Sequence, residues 1–343
     1  MSTARRVGVR GAVLLWSSIC AAACGASSGP TLWYAGTALC GLTSSQLNEG
    51  AKNNPAIIIT SPSLHAFSDV ALDAKGNLWA VGVGSSDVLR FAAGALQKSG
   101  APTPELVLRS ASLLSPGNLA FDSAGNLWVV DHQADSAGYL LRFQNPQALS
   151  GTQVVTPAAR ITTPVASDFS FLGAIAFDPS GSLWVTSFVG LLRFDQPQGR
   201  SGDASVAPDA VIEIAGYPDN VYFYSIAFDA GGSLWATAAE GPLENSIMKF
   251  ARPGALPARS SPAPVLTIAG TAAGDILPAG GLAFDGDGSL WTANSEAILM
   301  YSRPGELSGS ADPTPARSLP VYNQASPSLN AHLVFSPAPT PNR

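Results

Sequence analysis

The stretch Leu119-Ala-Phe-Asp-Ser-Ala-Gly-Asn-Leu-Trp128 decides the fold of this chain. It consists of a short apolar strand, an Asp-x-x-Gly turn and a second strand that begins with Leu-Trp. Asp can accept backbone N–H groups within such a turn, and Gly takes the position with positive φ. The stretch therefore predicts a β-hairpin.

The same hairpin recurs along the chain. The other copies are Val70–Trp79, Ile175–Trp184, Ile226–Trp235 and Leu282–Trp291. Their tryptophans lie 49 to 56 residues apart. Self-similarity at such a period indicates a repeat architecture.

Each hairpin is followed by two further strands. The third strands are Leu89-Arg-Phe91, Leu141-Arg-Phe143, Leu192-Arg-Phe194, Met248-Lys-Phe250 and Leu299-Met-Tyr301, and Val211-Ile-Glu-Ile214 is one example of a fourth. Four antiparallel strands in about 50 residues are typical of a propeller blade. Loops such as Pro146–Gly151 and Pro304–Gly309 predict one helical turn before the fourth strand. We expect Arg90, Arg142, Arg193 and Lys249 to pack their stems between blades.

The sixth blade is divided between the chain ends. Leu333-Val-Phe-Ser336 matches a first strand, while Leu32-Trp33 supplies a second and Pro55–Ile59 a fourth. Pairing the ends removes the last open sheet edges. The predicted fold is all-β: a six-bladed β-propeller of four-stranded antiparallel blades over residues 32–343. All six tryptophans of this region share one repeat position, where we expect them to form core between blades.

The composition restricts the partners. The chain has 343 residues, of which 46% are hydrophobic and 12% charged, with a formal net charge of -6. Few Lys and Arg residues argue against a nucleic-acid partner, because phosphates require a basic face. We expect a monomer.

Residues 1–23 predict an export signal. Arg5, Arg6 and Arg10 precede the short apolar core Gly11–Ile19, and Ala21–Ala23 form a small-residue cleavage site. The core is too short to span a bilayer as a helix. Cleavage would leave Cys24 first, which resembles a bacterial lipobox although Ala21 stands where Leu is preferred.

Two localisations follow from this signal. Lipidation of Cys24, with residues 24–31 as a tether, predicts an outer-membrane or cell-envelope lipoprotein that touches the membrane through its lipid anchor only. The alternative is a periplasmic or extracellular protein. In the first case Cys40 is a lone thiol, expected as a small buried hydrophobe. In the second, a Cys24–Cys40 disulfide could form.

One end of the predicted propeller carries variable positions. The positions just before the first strands are Asp69, Asn118, Ala174, Ser225, Gly281 and His332. The positions three after each Trp are Gly36, Gly82, Asp131, Ser187, Ala238 and Asn294. Both sets should surround one channel mouth. Variation on a regular scaffold suits a functional site.

The residues expected at this end of the propeller favour the binding of a cation. Asp69, Asn118, Asp131 and His332 are candidate ligands for Ca²⁺ or Mg²⁺. Other residues expected on this face are His65, His132, Asp135, Asp168, Asp219, Glu240, Glu244, Asp275 and Glu296, with Arg109 at the rim. The alternative is that these groups cap turns or lie on the surface. We expect Asp285-Gly-Asp-Gly288, which resembles a calcium loop, to be a structural turn.

Aromatic residues are a second feature of the mouth. They are Phe169, Phe171, Tyr217, Tyr222, Phe223 and Tyr224. Exposed rings here could stack on sugars or dock a protein. Alternatively, they roof the tops of the blades.

The strand–Asp-x-x-Gly–Leu-Trp unit resembles NHL-repeat propellers and the regucalcin/gluconolactonase superfamily over residues 32–336. Gluconolactonase-like relatives hydrolyse lactones with a metal held by Glu, Asn and Asp. The resemblance implies that Asn118 and Asp131 correspond to the Asn and Asp of that set. The family's Glu-Gly-Pro and Asn-Asp-Gly motifs are missing. Streptogramin-lyase-like propellers share a Gly-Asn-Leu-Trp-like strand, but this chain lacks a matching His-x-Glu-type set.

Two functions remain open. The first is a cell-envelope binding module for a protein, glycan or small ligand. Its candidate binding residues are Asp69, Asn118, Asp131, His132, Ser225, Asn294, His332, Tyr222 and Tyr224. The alternative is a metal-dependent lactonase or other hydrolase of the gluconolactonase type, or a streptogramin-lyase-like enzyme. The binding module is favoured, since only part of one enzyme pattern is present and neither a phosphate loop nor a paired-cysteine zinc spacing occurs.

Overall fold

Six small β-sheets, one for each predicted repeat, make up the computed structural model. The structure describes residues 32–49, 55–64, 66–132, 138–213, 222–238, 246–251, 253–269, 280–293, 297–311, 313–320 and 333–335. The signal segment 1–23, Cys24 and the tether lie outside these ranges. Within them, no helix is long and apolar enough to cross a membrane. The predicted six-bladed propeller is confirmed.

Blade one is the blade shared by the chain ends. It contains β1 (Leu32–Ala35), β2 (Leu39–Leu42), β3 (Ile57–Ile59) and β28 (Leu333–Phe335). Strand β28 pairs antiparallel with β1, so that Trp33 stands opposite Val334. The Trp291 ring of the last repeat packs edge-to-face on Phe335, with ring centroids 6.0 Å apart. The predicted closure of the ring by both chain ends is confirmed.

The other five blades follow in chain order. Blade two contains β4 (Phe67–Leu72), β5 (Leu78–Gly82), β6 (Val88–Phe91) and β7 (Leu106–Arg109). Blade three contains β8 (Pro116–Phe121), β9 (Leu127–His132), β10 (Gly138–Phe143) and β12 (Ala159–Thr162). Blade four contains β13 (Ile175–Phe177), β14 (Leu183–Ser187), β15 (Gly190–Phe194) and β17 (Ala210–Ile212). Blade five contains β18 (Phe223–Phe228), β19 (Leu234–Ala238), β20 (Ser246–Phe250) and β22 (Leu266–Ala269). Blade six contains β23 (Leu282–Phe284), β24 (Leu290–Ala293), β25 (Ala297–Tyr301) and β27 (Arg317–Pro320).

Among the described residues, four blades gain a fifth strand that the repeat pattern does not predict. These strands are β11 (Gly151–Val154), β16 (Gly202–Ser205), β21 (Arg259–Ser260) and β26 (Gly309–Ala311). Each belongs to the connection between the third and fourth strands of one blade, yet pairs in parallel with the fourth strand of the preceding blade. The backbone N–H of Gly151, for example, donates to the carbonyl of Glu105 over 2.8 Å. Neighbouring blades are therefore joined through backbone hydrogen bonds.

Short helical segments complete the connections. They are the 3-10 segments Ala93–Gln97, Pro146–Ala148, Ala166–Phe169, Pro197–Gly199, Pro253–Ala255 and Pro304–Glu306, and the helix α1 (Ser44–Glu49). The predicted helical turns at Pro146 and Pro304 are confirmed.

The third-strand arginines bind the connection of the next blade. The guanidinium of Arg90 donates to the carbonyls of Gln147 (2.9 Å) and Leu149 (2.8 Å). Arg193 does the same to Gly254, at 2.7 Å. The expected structural role is confirmed for the three arginines, whereas Lys249 pairs with Asp229 of its own blade over 3.3 Å. In blade six Met300 takes this position, and Arg317 on the adjacent β27 donates instead to the carbonyl of Leu47 in α1.

The Asp-x-x-Gly turns share one set of contacts, and we call the end of the propeller that carries them the turn face. In Asp122, Oδ1 accepts the N–H groups of Ala124 and Asn126, while Oδ2 accepts the indole N–H of Trp128 at 3.0 Å. Asp73, Asp178, Asp229 and Asp285 make the equivalent indole contacts at 2.8–3.0 Å. The Asp285 turn is thus structural, as expected. The six tryptophans among the described residues are all buried.

The six first strands contact one another in sequence around the central axis, from β4 through β8, β13, β18 and β23 to β28 and back to β4. The loops that lead into these strands, and the turns between second and third strands, gather at the end opposite the turn face. We call this end the mouth face.

Cys40 lies fully buried on β2 in blade one. Burial raises the pKa of its thiol to about 11, despite the opposing hydrogen bond with the Tyr34 hydroxyl. Its side chain therefore behaves as the small buried hydrophobe that the sequence suggests. Cys24, its candidate disulfide partner, lies outside the described residues.

Candidate functional site at the channel mouth

The described residues of the first ring of predicted site positions are buried between blades. Asp69 and Ser225 are fully buried and Asn118 is nearly so. Oδ2 of Asp69 accepts the backbone N–H of Leu119 at 2.8 Å, and Oγ of Ser225 accepts that of Leu282 at 3.0 Å. Each acceptor therefore ties its own blade to the first strand of the following blade. Buried polar atoms need such partners, because an unpaired group in the interior costs about 1–3 kcal/mol.

The second ring closes the loops of the mouth face. Oδ1 of the buried Asp131 accepts the backbone N–H groups of Leu114 (2.9 Å) and Ser115 (3.0 Å). These two residues lead into β8, so the carboxylate holds that loop against the end of β9. At Gly82, the corresponding position of blade two, a Cβ would lie 2.7 Å from the Leu64 side chain. Both positions have local packing roles.

His132 packs against Gly117 at the start of β8. A Cβ on Gly117 would lie 2.5 Å from Nε2 of His132, so only glycine leaves room for the imidazole ring. Burial lowers the pKa of His132. Burial therefore favours the neutral form of the ring.

Three of the four predicted metal ligands lie among the described residues. Asp69, Asn118 and Asp131 lie on the first and second strands of blades two and three, while His332 and Asn294 fall outside the described ranges. Within those ranges, no cluster of three or more His, Cys, Asp or Glu side chains could hold a metal. His65, Asp135, Asp219, Glu240, Glu244, Asp275 and Glu296 also lie outside them. The metal site stays a prediction.

Asp168 forms part of an ion-pair cluster between blades four and five. Its Oδ1 lies 3.5 Å from Nη2 of Arg259 on β21, and Arg259 also pairs with Glu213. Burial raises the pKa of Asp168, the Arg259 cation opposes that rise, and the charge of Glu213 adds to it. This predicted mouth-face carboxylate therefore serves the contact between neighbouring blades.

The aromatic residues divide between the two roles left open by the sequence. Phe169 is buried against Phe194, with centroids 5.8 Å apart, and Phe223 is fully buried. Tyr222 and Tyr224 are half-buried and pack edge-to-face at 5.4 Å. Phe171, by contrast, is 54% exposed. Tyr217 lies outside the described residues.

Sequence reasoning missed Phe188, which contacts Phe171. The two rings are tilted by 48°, with centroids 5.9 Å apart, and Phe188 is 44% exposed. Phe188 occupies the position four after the repeat Trp. The residues at this position are Thr37, Val83, His132, Phe188, Ala239 and Ser295. The variation at this repeat position was the sequence signal that could have indicated Phe188.

An open groove of about 590 Å³ lies at the outer rim of blade two. Arg109 lines it and makes two hydrogen bonds of 2.9 Å to Asp87. The expected position of Arg109 at the rim is confirmed. The other lining residues are Ser63, Gly84, Ser85, Ser86, Ser110, Ala111 and Val154. The groove is separate from the central channel.

Comparison with known proteins identifies the fold. No protein-family model and no curated protein matches the sequence. A protein of unknown function from Bacteroides caccae matches the structure with a TM-score of 0.52 and 11% identity, over 87% of this chain and 97% of that one. Virginiamycin B lyase from Staphylococcus aureus has a TM-score of 0.44 and 14% identity, over 73% and 72% of the two chains. A protein for which gluconolactonase activity has been suggested has a TM-score of 0.48 and 14% identity, over 86% and 91%. At these identities the likeness concerns the propeller fold alone.

Proposed function

We propose that this chain is an exported binding module that holds a protein, glycan or small ligand on its mouth face. One contrast carries the proposal. Asp69 and Asp131, two of the predicted metal ligands, are buried and accept backbone N–H groups. On the same face, the rings of Phe171 and Phe188 are exposed and in contact.

This contrast favours binding over a metal-dependent lactonase or a lyase. A catalytic carboxylate must reach the reacting atoms, whereas Asp131 holds the loop that leads into β8. Exposed aromatic side chains are enriched where proteins bind partners. The scaffold is therefore rigid where its polar groups are, and its apolar surface is available to a ligand.

Export and a lipid anchor at Cys24 belong to the same proposal. The short tether 24–31 would keep the propeller close to the membrane. Fractionation of cells that express the full chain tests this part, with Cys24→Ser as the variant. We expect acylated wild-type protein in the membrane fraction and the variant outside it. Equal partition without acyl mass would show that the chain has no lipid anchor.

The binding role is tested on the purified mature protein. A glycan array and an envelope pull-down would search for ligands, while assays of lactone hydrolysis with Ca²⁺, Mg²⁺, Mn²⁺ and Zn²⁺ would search for turnover. We expect a ligand that is bound and left unchanged. Metal-dependent lactone turnover that is lost in Asp131→Asn, with both binding screens empty, would establish the enzyme instead.

A further inference from the structure

We infer that Phe171 and Phe188 form a stacking platform for the face of a neutral sugar ring. This inference rests on the proposed binding role of the mouth face and names its ligand class. The platform belongs to blade four: Phe171 precedes β13, and Phe188 stands in the turn between β14 and β15.

The backbone at Phe171 is the first observation. Phe171 has φ = 51°, in the left-handed region that bulky residues rarely occupy. The other described non-glycine residues with positive φ are Asn145, Gln196 and Arg303. Each of these directly precedes the proline of a 3-10 turn, so their conformation belongs to the repeat. Phe171 has no such counterpart, and an isolated strained residue of this kind points to function.

The exposure of the ring is the second observation. A strained aromatic residue would ordinarily be offset by burial of its side chain, yet Phe171 is 54% exposed. Eight large hydrophobic side chains are exposed among the described residues, and only Phe171 and Phe188 of these are aromatic. The two rings contact each other. Together they present one continuous apolar surface.

Uncharged hydroxyls pack against Gly173, which follows Phe171 closely in the chain. Two residues after Phe171, a Cβ on Gly173 would lie 2.4 Å from Oγ1 of Thr186 and 3.5 Å from the Tyr222 hydroxyl. Oγ1 of Thr186 is buried and has no hydrogen-bond partner among the described residues. The nearby carboxylate of Asp168 is buried and faces Arg259. Thr186 is itself fully buried, whereas Tyr222 is half-buried and can reach a ligand. Exposed aromatic faces with a neutral hydroxyl nearby suit the C–H face and the hydroxyl groups of a sugar.

A sugar fits this position better than an extended peptide. A peptide that adds to a sheet needs an open strand edge for its backbone hydrogen bonds. Phe188 stands in the turn between β14 and β15, and both strands are paired on each side, β14 with β13 and β15 with β17. The platform therefore offers ring faces without a strand edge beside them.

The test uses neutral oligosaccharides of glucose, N-acetylglucosamine, xylose and mannose as probes. Calorimetry on the full mature protein would measure Kd for wild type, Phe171→Ala and Phe188→Ala. Val83→Ala is the matched control, because Val83 occupies the same repeat position in blade two and is 67% exposed. We expect at least one oligosaccharide to bind, and each Phe variant to weaken it about tenfold or more. The control should leave Kd unchanged.

A structural readout separates contact from misfolding. Protein labelled with fluorophenylalanine would show ¹⁹F shifts of the Phe171 and Phe188 signals on titration with sugar, while the signal of the buried Phe143 stays fixed. Sugar binding that neither Phe variant weakens would overturn the platform and leave the binding module intact. Capture of an envelope protein through these rings, with every oligosaccharide inactive, would overturn the sugar class alone. Absence of both ligands, together with lactone turnover, would remove the proposed function as well.

Discussion

On the turn face of the propeller, equivalent positions of the blades carry the same residue, whereas on the mouth face they carry different residues. On the turn face, Asp73, Asp122, Asp178, Asp229 and Asp285 each bind the indole N–H of the Trp six residues later. On the mouth face, equivalent positions differ from blade to blade. Four residues after the repeat Trp stand Val83 in blade two, His132 in blade three and Phe188 in blade four.

This difference indicates that the uniform turn-face residues serve stability, whereas variable mouth-face positions are available for recognition. A turn-face Asp acts within its own hairpin, so the same residue serves in every complete repeat. A mouth-face residue contacts an inter-blade loop, a neighbouring blade or the solvent, so its requirements depend on which blade carries it. Uniformity therefore marks the scaffold, and variation marks the surface available for a ligand.

The largest effect is expected from breaking the turn face. Asp122→Ala removes the acceptor of two backbone N–H groups, the Asn126 amide and the Trp128 indole. We expect the free energy of unfolding to fall by about 3 kcal/mol, because buried donors lose a charged partner. Denaturant unfolding followed by Trp fluorescence measures the change.

Asp287→Ala serves as the control for this experiment. Asp287 lies in the equivalent hairpin of blade six but is exposed. Its replacement should change stability by less than about 0.5 kcal/mol. Equal losses in the two variants would contradict the role assigned to Asp122.

A smaller loss is expected on the mouth face from Asp131→Ala. Its carboxylate accepts the N–H groups of Leu114 and Ser115, and its removal should cost about 2 kcal/mol. Unfolding would be measured in Ca²⁺ and in a chelator. The loss should be the same in both conditions, whereas a larger loss in Ca²⁺ would establish Asp131 as a metal ligand.

Because the backbone at Phe171 is strained, we expect glycine to give a more stable protein than alanine at this position, the reverse of the usual order. At φ = 51°, Phe171→Gly should be more stable than Phe171→Ala by about 1 kcal/mol, since both variants lack the ring and only glycine accepts this backbone. At Val83, which is not among the residues with positive φ, Ala should be the more stable. Thermal unfolding of the four variants provides the comparison. Ala above Gly at both positions would mean that no strain is stored at Phe171.

The smallest effect is a difference in pH dependence between the faces. Burial raises the pKa of Asp168, so its favourable contribution is complete below 3.8, the ordinary value, and is lost as pH rises through the raised pKa. For Asp229, burial is outweighed by hydrogen bonds from Trp235 and Ser233 and by Lys249, which lower its pKa. Its contribution is present above 3.8 and is lost as pH falls through the lowered pKa.

Unfolding between pH 2.5 and 7 would be measured for Asp168→Asn and Asp229→Asn beside wild type. Relative to its variant, wild type should lose stability with rising pH at Asp168 and gain it at Asp229. Slopes of the same sign would refute the assignment of these two carboxylates to different environments.

The site was predictable only as a location. The repeat placed Asp69, Asn118, Asp131 and Ser225 at one end of the propeller, and the structure places them there. Their partners were not predictable, because Asp69 accepts an N–H from Leu119 in the next blade. Likewise, Phe169 and Phe171 are alike in sequence context, yet packing buries the first and exposes the second.

By itself, the sequence determined the number of blades, their closure by both chain ends, the burial of the tryptophans and the turns at each Asp-x-x-Gly. These features depend on interactions within a hairpin or on a period repeated along the chain, and both can be recognised in the sequence. The tertiary structure alone decided which polar groups bind a neighbouring blade, where the fifth strands add, and that Phe171 meets Phe188. Those outcomes depend on contacts between separate segments of the chain, whose geometry exists only once the ring has closed.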